Sequence, residues 1–268
     1  MLCAVLPDRS TVRHRGRISL RGQGDLMLSG ALIAGAAFVA GVLNTAGGGG
    51  AILSFVVLTT TGVAPLTAHA TNQLVTPLSF LAAARAARGT RPRVALLVAG
   101  CVGTVAGVGI LATTSPAAFQ AVAPWVLLPA AVLVAVQGWA KRRLPARRRD
   151  RHPLATAAAM LTCGVYAGLI GVGTGTLVLV VLGMGAAGGA LNRLLPVRNV
   201  LCLGMAVVVA AAFAFTGLAD WALAALLAVP AVLGGLVGTR LVGRLPDPAL
   251  RAGVVLTAIA GAVWLLLR

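Results

Sequence analysis

The sequence contains very little negative charge. Its 268 residues include five acidic side chains, all aspartates, and each lies outside or at the edge of an apolar stretch: Asp8, Asp25, Asp150, Asp220 and Asp247. This excludes a proton relay built from carboxylates within the apolar stretches. Those stretches also lack an acid pair, a Ser/His/Asp set, an HExxH motif and a Cys/His metal cluster. We therefore expect a protein that is not an enzyme and that has no metal ion and no cofactor.

Cysteine is scarce as well and lacks any informative spacing. The four cysteines are Cys3, Cys101, Cys163 and Cys202, and no CxxC pair occurs among them. Three of the four fall inside apolar stretches. We interpret them as small packing residues rather than as metal ligands or a disulfide framework.

Apolar residues make up most of what is present. The chain is 59% hydrophobic and 10% charged, with a mean hydropathy of +0.98, which indicates a membrane protein with several spans. The formal net charge of +17 comes from arginines clustered beside apolar stretches. That distribution follows the positive-inside rule and argues against nucleic-acid binding. The expected surroundings are a lipid bilayer.

At about 20 residues per span, the sequence predicts an all-α integral membrane protein with about eight transmembrane segments. The apolar segments are 27–46 continuing to 61, 66–84, 94–113, 119–140, 154–183, 194–216, 221–243 and 249–267. The first and fifth are too long for one crossing, and each contains a glycine cluster, Gly47–Gly50 or Gly171–Gly175. Glycine is unfavourable inside a helix, so we predict a break at each cluster, giving a span followed by a short half-helix. The alternative interpretation is that these glycines allow close helix packing and bind no ligand.

The chain divides near its middle. We predict a basic N-terminal arm (1–26), a first membrane repeat (27–140), a basic linker (141–153) and a second membrane repeat (154–268). A shift of 127 positions places Gly48 on Gly175 and Asn72 on Asn199, which indicates two homologous halves. Met27, directly before the first span, is an alternative start to Met1.

The arginine distribution predicts orientation. The arm, the loop 85–93 and the linker are all basic, so we expect a multi-pass protein of the cell membrane with a cytoplasmic N-terminus. The first half then crosses four times. Four simple crossings in the second half would place Arg240, Arg244 and Arg251 outside. Either one segment there is re-entrant, or the charge signal is too weak to give the topology.

Several motifs together resemble one family. They are Ala40–Gly50 (AGVLNTAGGGG), Ala68–Gln73 (AHATNQ), Tyr166–Gly175 (YAGLIGVGTG) and Gly217–Ala222 (GLADWA). From about Met27 to Leu267 the chain resembles the TauE/SafE sulfite exporter family of membrane permeases. It departs from the family pattern at Asn44, where a glycine is usual, and at Ser54 or Phe55, where a proline is common. The resemblance implies transport of a small sulfur-containing anion, such as sulfite or a sulfonate.

The candidate substrate site gathers polar groups around the two breaks. Helix N-termini that follow a break present free N–H groups and a positive dipole end to an anion. On the second helix His69, Asn72, Gln73 and Thr76 share one face, which we expect to point inward. The predicted site residues are Thr45, Gly48, Gly49, Gly50, His69, Asn72, Gln73, Gly173, Thr174, Gly175, Arg198 and Asn199. For Arg198 the alternative is an arginine that reaches the lipid headgroups, and for His69 it is a packing role.

The predicted function is a permease that moves a small anion, sulfite or an organosulfonate, by alternating access around the breaks. Transport is either uniport driven by the anion gradient and the membrane potential, or coupled through a group that titrates, His69 or Tyr166. The alternatives are a permease for another small anion or metabolite and a membrane assembly protein without transport. The oligomeric state stays open.

Overall fold

The computed structural model describes residues 23–46, 49–86, 92–115, 153–171, 173–183 and 191–241, and single positions within 117–132 and 259–263. These residues form helices and no strand. The helices are α1 Gln23–Ala46, α2 Gly50–Thr60, α3 Pro65–Ala86, α4 Val94–Ala112, α5 Pro153–Leu169, α6 Thr174–Val181, α7 Leu191–Thr216 and α8 Trp221–Leu241. The prediction of an all-helical protein is confirmed over the described part of the chain.

Four helices are long and apolar enough to cross a membrane: α1 over Leu28–Thr45, α4, α7 over Leu194–Thr216, and α8. One side of α4 carries exposed valines along its length, with Val94, Val98, Val102 and Val105 between 54% and 72% exposed. Apolar side chains on an outer helix face suit contact with lipid. The helices α2 and α5 are apolar but shorter.

Not every predicted segment can be compared with the structure. The segments 119–140 and 249–267 fall almost wholly outside the described residues, as do the linker and nearly all of the arm. The arrangement of eight spans in two halves, with its four sequence regions, therefore stays a prediction. For the other segments the helix boundaries lie within about four residues of the expected ones.

Glycine contacts hold α4 against α5. A Cβ atom added to Gly103 or Gly107 would strike the backbone of α5, and one added to Gly164 or Gly168 would strike the backbone of α4. Small residues four apart allow two membrane helices to approach this closely, which increases their van der Waals contact. The spacing of Gly103 and Gly107 therefore serves close helix packing.

A second glycine-mediated contact joins α8 to α1. A Cβ on Gly234 would strike Phe38, one on Gly238 would strike Thr45 and Val42, and one on Gly41 would strike Ala231. The two contacts have the same form: α4 packs on α5, and α8 packs on α1. The helices α3 and α7 also contact each other. The result is a bundle in which the N-terminal and C-terminal parts of the chain are interleaved.

The short helices α2 and α6 lie inside this bundle. In α2, Ile52 and Leu58 have no exposed surface, and in α6, Val178 has none and Leu179 has 1%. Each belongs to a separate apolar cluster, one with residues of α1, α3 and α8 and the other with residues of α5 and α7. Two interrupted helices are thereby fixed in the interior, and the first residues of both are buried against protein.

We predict that Gly107→Leu destabilises the protein because the new side chain has no room against Val165 and Gly168 of α5. Overpacking of this kind costs about 1–3 kcal/mol. Gly109→Leu on the same helix is the matched control, since nothing lies within 4 Å of a Cβ there. The midpoint of thermal unfolding in detergent should fall for Gly107→Leu alone. Equal midpoints for the two variants would contradict this account of the helix contact.

Candidate functional site between the two helix breaks

The chain breaks its helices at both predicted glycine clusters. The helix α1 ends at Ala46 and α2 begins at Gly50, while α5 ends at Leu169 and α6 begins at Thr174. The residues before the half-helices are Gly49, with φ 93°, and Gly173, with φ 76°. A residue with a Cβ is strained in this left-handed region, so glycine permits the sharp change of direction. The predicted breaks are confirmed, and the equivalent positions in the structure are Gly49 and Gly173.

A single buried arginine connects the two breaks. The guanidinium of Arg198 donates from Nη2 to the carbonyl oxygen of Asn44 at 2.7 Å and from Nη1 to that of Thr45 at 3.3 Å. It also donates from Nε to the carbonyl oxygen of Gly175 at 3.1 Å and from Nη1 to Oδ1 of Asn199 at 2.9 Å. The end of α1 and the first turn of α6 are therefore bound to the same side chain.

The bonds to Asn44 and Thr45 satisfy carbonyls that the end of α1 leaves unpaired, whereas the carbonyl of Gly175 lies in the first turn of α6 and also has a partner within that helix. Carbonyls in the last turn of a helix have no partner within the helix, and a cation there is favoured by the helix dipole. Arg198 has no exposed surface, so it does not extend to the lipid headgroups. No aspartate is found among the buried residues of the described chain. The positive charge is held by backbone carbonyls, Asn199 and the ring of Phe80, whose centroid lies 5.7 Å from Cζ.

The first break has a counterpart to this contact. Nδ2 of Asn72 donates to the carbonyl oxygen of Ala51 at 3.0 Å. Ala51 lies two residues after Gly49, as Gly175 lies two residues after Gly173. In both places a polar side chain from the next long helix, α3 or α7, holds the start of the half-helix.

A small cavity of about 30 Å³ lies between the two breaks. Backbone at both breaks borders it, together with side chains of α3, α5 and α7. Its polar lining consists of Asn44, Gln73, Thr76 and Thr174, and its glycine lining of Gly49, Gly171, Gly173 and Gly175. Among the described residues, no charged side chain contributes to the lining. Since a buried water needs about 10–15 Å³ on this measure, the cavity holds about two waters.

Two side-chain amides face this space without a protein partner. Among the described residues, neither Asn44 nor Gln73 makes a side-chain hydrogen bond, although both are at least nine-tenths buried. The two threonine hydroxyls are already used, because Thr76 donates to the carbonyl of Asn72 at 2.8 Å and Thr174 donates to that of Gly171 at 2.9 Å. The amides are therefore the side-chain donors available to a molecule in the cavity.

The structure separates the predicted site residues into three groups. Those that line the cavity are Gly49, Gln73, Gly173, Thr174 and Gly175. Those that support its walls are Gly50, Asn72, Arg198 and Asn199. Those placed elsewhere are Thr45, whose hydroxyl bonds to backbone carbonyls of α1 and α8, and His69, which packs edge-on against Phe213 at 5.5 Å. Gly48 lies outside the described residues.

The polar face of α3 points inward as predicted, since His69, Asn72 and Gln73 are 4% to 7% exposed. His69 is nevertheless some distance along this face from the breaks and does not line the cavity. Residues on the same face of α3 therefore do not all border the same cavity. The sequence-based site also omitted Asn44 and Thr76. Thr76 is one helical turn after Asn72 on the predicted face, and Asn44 is a polar residue directly before the glycine cluster. Both signals were present in the sequence.

Comparison with known proteins gives one result. The family model described as "Sulfite exporter TauE/SafE" matches residues 33–265, which is nearly the whole chain. No curated protein and no solved structure matches the chain. The matched region includes both breaks and every residue that lines the cavity.

We predict that Arg198→Gln destabilises the protein strongly, because the carbonyls of Asn44 and Thr45 lose their donor and α6 loses its link to α1. Each buried group left unsatisfied costs about 1–3 kcal/mol. Arg240→Gln is the control, since Arg240 is an exposed residue in the last turn of α8. Thermal unfolding in detergent should show a much lower midpoint for the Arg198 variant. A midpoint equal to that of the control would disprove the role of Arg198 in holding the end of α1 and the start of α6 together.

Proposed function

The chain belongs to the sulfite exporter TauE/SafE family, and from that premise we propose that it is a permease for a small oxyanion, sulfite or an organosulfonate. The substrate site is the cavity between the two helix breaks. Transport occurs by alternating access, in which the parts of the bundle on either side of this cavity move relative to each other. The observation that carries the proposal is the position of the cavity at the starts of both half-helices.

Electrostatics at the cavity favour an anion. The lining includes Gly49 and Ala51 at the start of α2, and Gly173, Thr174 and Gly175 at the start of α6. A helix N-terminus carries partial positive charge and backbone N–H groups without an intrahelical partner, which is a common anion-binding arrangement. Two such ends bordering one cavity add their effects. The guanidinium of Arg198 contributes a full positive charge from directly behind Gly175.

Side-chain donors add specificity for oxygen. The amides of Asn44 and Gln73 can each donate to a sulfite or sulfonate oxygen, and no aspartate in the described part of the chain lines the cavity to repel it. Hydrogen bonds from a neutral amide to an anionic oxygen are stronger than those between neutral groups. An oxyanion with three oxygens has enough acceptors to engage both amides and the backbone at the breaks.

The size of the cavity indicates a closed state. Sulfite has four heavy atoms, so it does not fit a space of about 30 Å³ without movement of the walls. The walls consist of two short helices held by hydrogen bonds from α3 and α7, which can shift as units. We propose that opening toward one membrane face enlarges the cavity while the other face stays packed.

We propose uniport rather than proton coupling through His69. The imidazole of His69 packs against Phe213 and does not border the cavity. No carboxylate is available among the buried residues of the described chain to take its place. The driving forces are then the gradient of the anion and the membrane potential, which is worth about 2.3 kcal/mol per unit charge at 100 mV.

We predict that Gly175→Ala lowers sulfite flux about tenfold or more while leaving membrane insertion intact. The added Cβ would occupy the position of Nη2 of Arg198, so the arginine must leave its place behind the cavity. Loss of one hydrogen bond to a charged group corresponds to about a tenfold or larger decrease in rate. Sulfite efflux from liposomes carrying purified protein is the measurement. Gly35→Ala on α1 is the matched control, because nothing lies within 4 Å of its Cβ. Wild-type flux in the Gly175 variant would exclude the site proposed at the breaks.

We predict that His69→Gln leaves the pH dependence of sulfite flux unchanged. Glutamine keeps hydrogen-bonding capacity but cannot carry a proton at neutral pH. Flux should be measured between about pH 6 and pH 8, with the membrane potential held constant. A variant whose flux has lost the pH dependence of the wild type would favour coupling through His69 instead of uniport.

A further inference from the structure

A second, smaller cavity lies next to the first. It has a volume of about 10 Å³, close to that of one buried water, and is enclosed by α1, α2, α3 and α8. Its polar lining is Asn44, Ser54, Asn72, Thr76 and Ser79. Thr76 is partly buried and the other four are buried, in a part of the protein that spans a membrane, where an unneeded polar group is costly. A polar space at this depth calls for an explanation beyond packing.

Two residues, Asn44 and Thr76, line both cavities. They therefore form the wall between the cavity at the breaks and the second cavity. The second cavity borders α1 from Asn44 back to Ala37, about 10 Å along the helix toward its N-terminus. The two spaces thus follow one another along α1 and are separated by two side chains.

The two sides of this wall differ in mobility. The hydroxyl of Thr76 is fixed by its hydrogen bond to the carbonyl of Asn72. The backbone of Asn44 is fixed by the hydrogen bond that its carbonyl accepts from Arg198. The side-chain amide of Asn44 has no hydrogen-bond partner among the described residues, so it can rotate about its own side-chain bonds without breaking a protein hydrogen bond. The movable part of the wall is this amide.

We propose that the Asn44 amide is a selective gate between the two cavities, and that the transported oxyanion passes it on the way to the membrane face where α1 begins. This inference rests on the proposed function. The amide closes the passage by its bulk and opens it by turning, when its N–H groups bind an oxygen of the anion. The gate admits a compact oxyanion such as sulfite and hinders an organosulfonate with a longer body such as taurine.

Two substitutions of Asn44 separate the effects of hydrogen bonding and bulk. Leucine has a similar branched shape but no donor, so Asn44→Leu should lower sulfite flux about 10- to 100-fold, the range for a lost hydrogen bond to an ionised group. Alanine removes the bulk, so Asn44→Ala should raise the ratio of taurine flux to sulfite flux severalfold. Val39→Ala on the exposed side of α1 is the control and should change neither quantity.

The experiment measures sulfite and taurine efflux from liposomes carrying the full-length protein. Each variant is first shown to be folded, by elution from a size-exclusion column at the same volume as the wild type. If Asn44→Leu does not fold, Thr76→Ala widens the same passage from the opposite wall and should also raise the taurine-to-sulfite ratio. If the wild-type protein moves neither sulfite nor taurine, the proposed function and the gate are both overturned. Normal wild-type flux, with unchanged rates and ratios in the variants, would overturn the gate alone.

Discussion

The arrangement depends on how a broken helix is satisfied inside a membrane. Lipid offers no hydrogen bonds, so the backbone groups released by a break must find partners within the protein. Arg198 supplies them for the carbonyls of Asn44 and Thr45 in the last turn of α1. It also donates to the carbonyl of Gly175 in the first turn of α6, as Asn72 donates to that of Ala51 in the first turn of α2, and these contacts hold the half-helices in place. Without Arg198, the two carbonyls at the end of α1 would be buried and would lack this donor. Arg198, the one fully buried arginine among the described residues, therefore lies at the meeting point of two interrupted helices.

This contact also gives the candidate site its charge. A cation held by carbonyl oxygens, an amide and an aromatic ring keeps its full positive charge, since no aspartate neutralises it among the buried residues described. The guanidinium lies behind Gly175 rather than in the cavity, so it attracts an anion without binding it directly. Strong direct pairing would slow release of the anion, whereas a transporter must let its substrate leave. The position of the guanidinium of Arg198 behind Gly175, outside the cavity, fits that requirement.

The fold near the site requires close helix contacts on both sides. Glycines bring α4 against α5 and α8 against α1, and these pairs carry the two helices that are interrupted. The half-helices are then buried in apolar clusters instead of lying in lipid. Small residues thus have two separate tasks in this chain: at Gly49 and Gly173 they allow the left-handed backbone, and elsewhere they allow helix backbones to approach.

Much of this could be predicted from the sequence, because apolar length and glycine clusters are local signals. They gave the helices, both breaks and the inward polar face of α3.

What local signals could not give was the partner of each polar side chain. His69 shares a face with Gln73 but lies against Phe213, and Thr45 is next to a break but bonds to its own helix. Arg198 was expected at a substrate or at lipid, and two of its three carbonyl partners lie 153 and 154 residues away in the chain. Asn44 was noted only as a departure from a family pattern, since its role depends on a cavity formed by four helices.

The measurement that tests the central claim most directly is anion flux by the wild-type protein in liposomes. Sulfite should be compared with sulfate, thiosulfate, taurine and chloride, with the membrane potential set to each sign in turn. An oxyanion site at two helix N-termini predicts saturable movement of sulfite or a sulfonate whose direction follows the potential. Folded protein that moves none of these anions at either sign of the potential would contradict it.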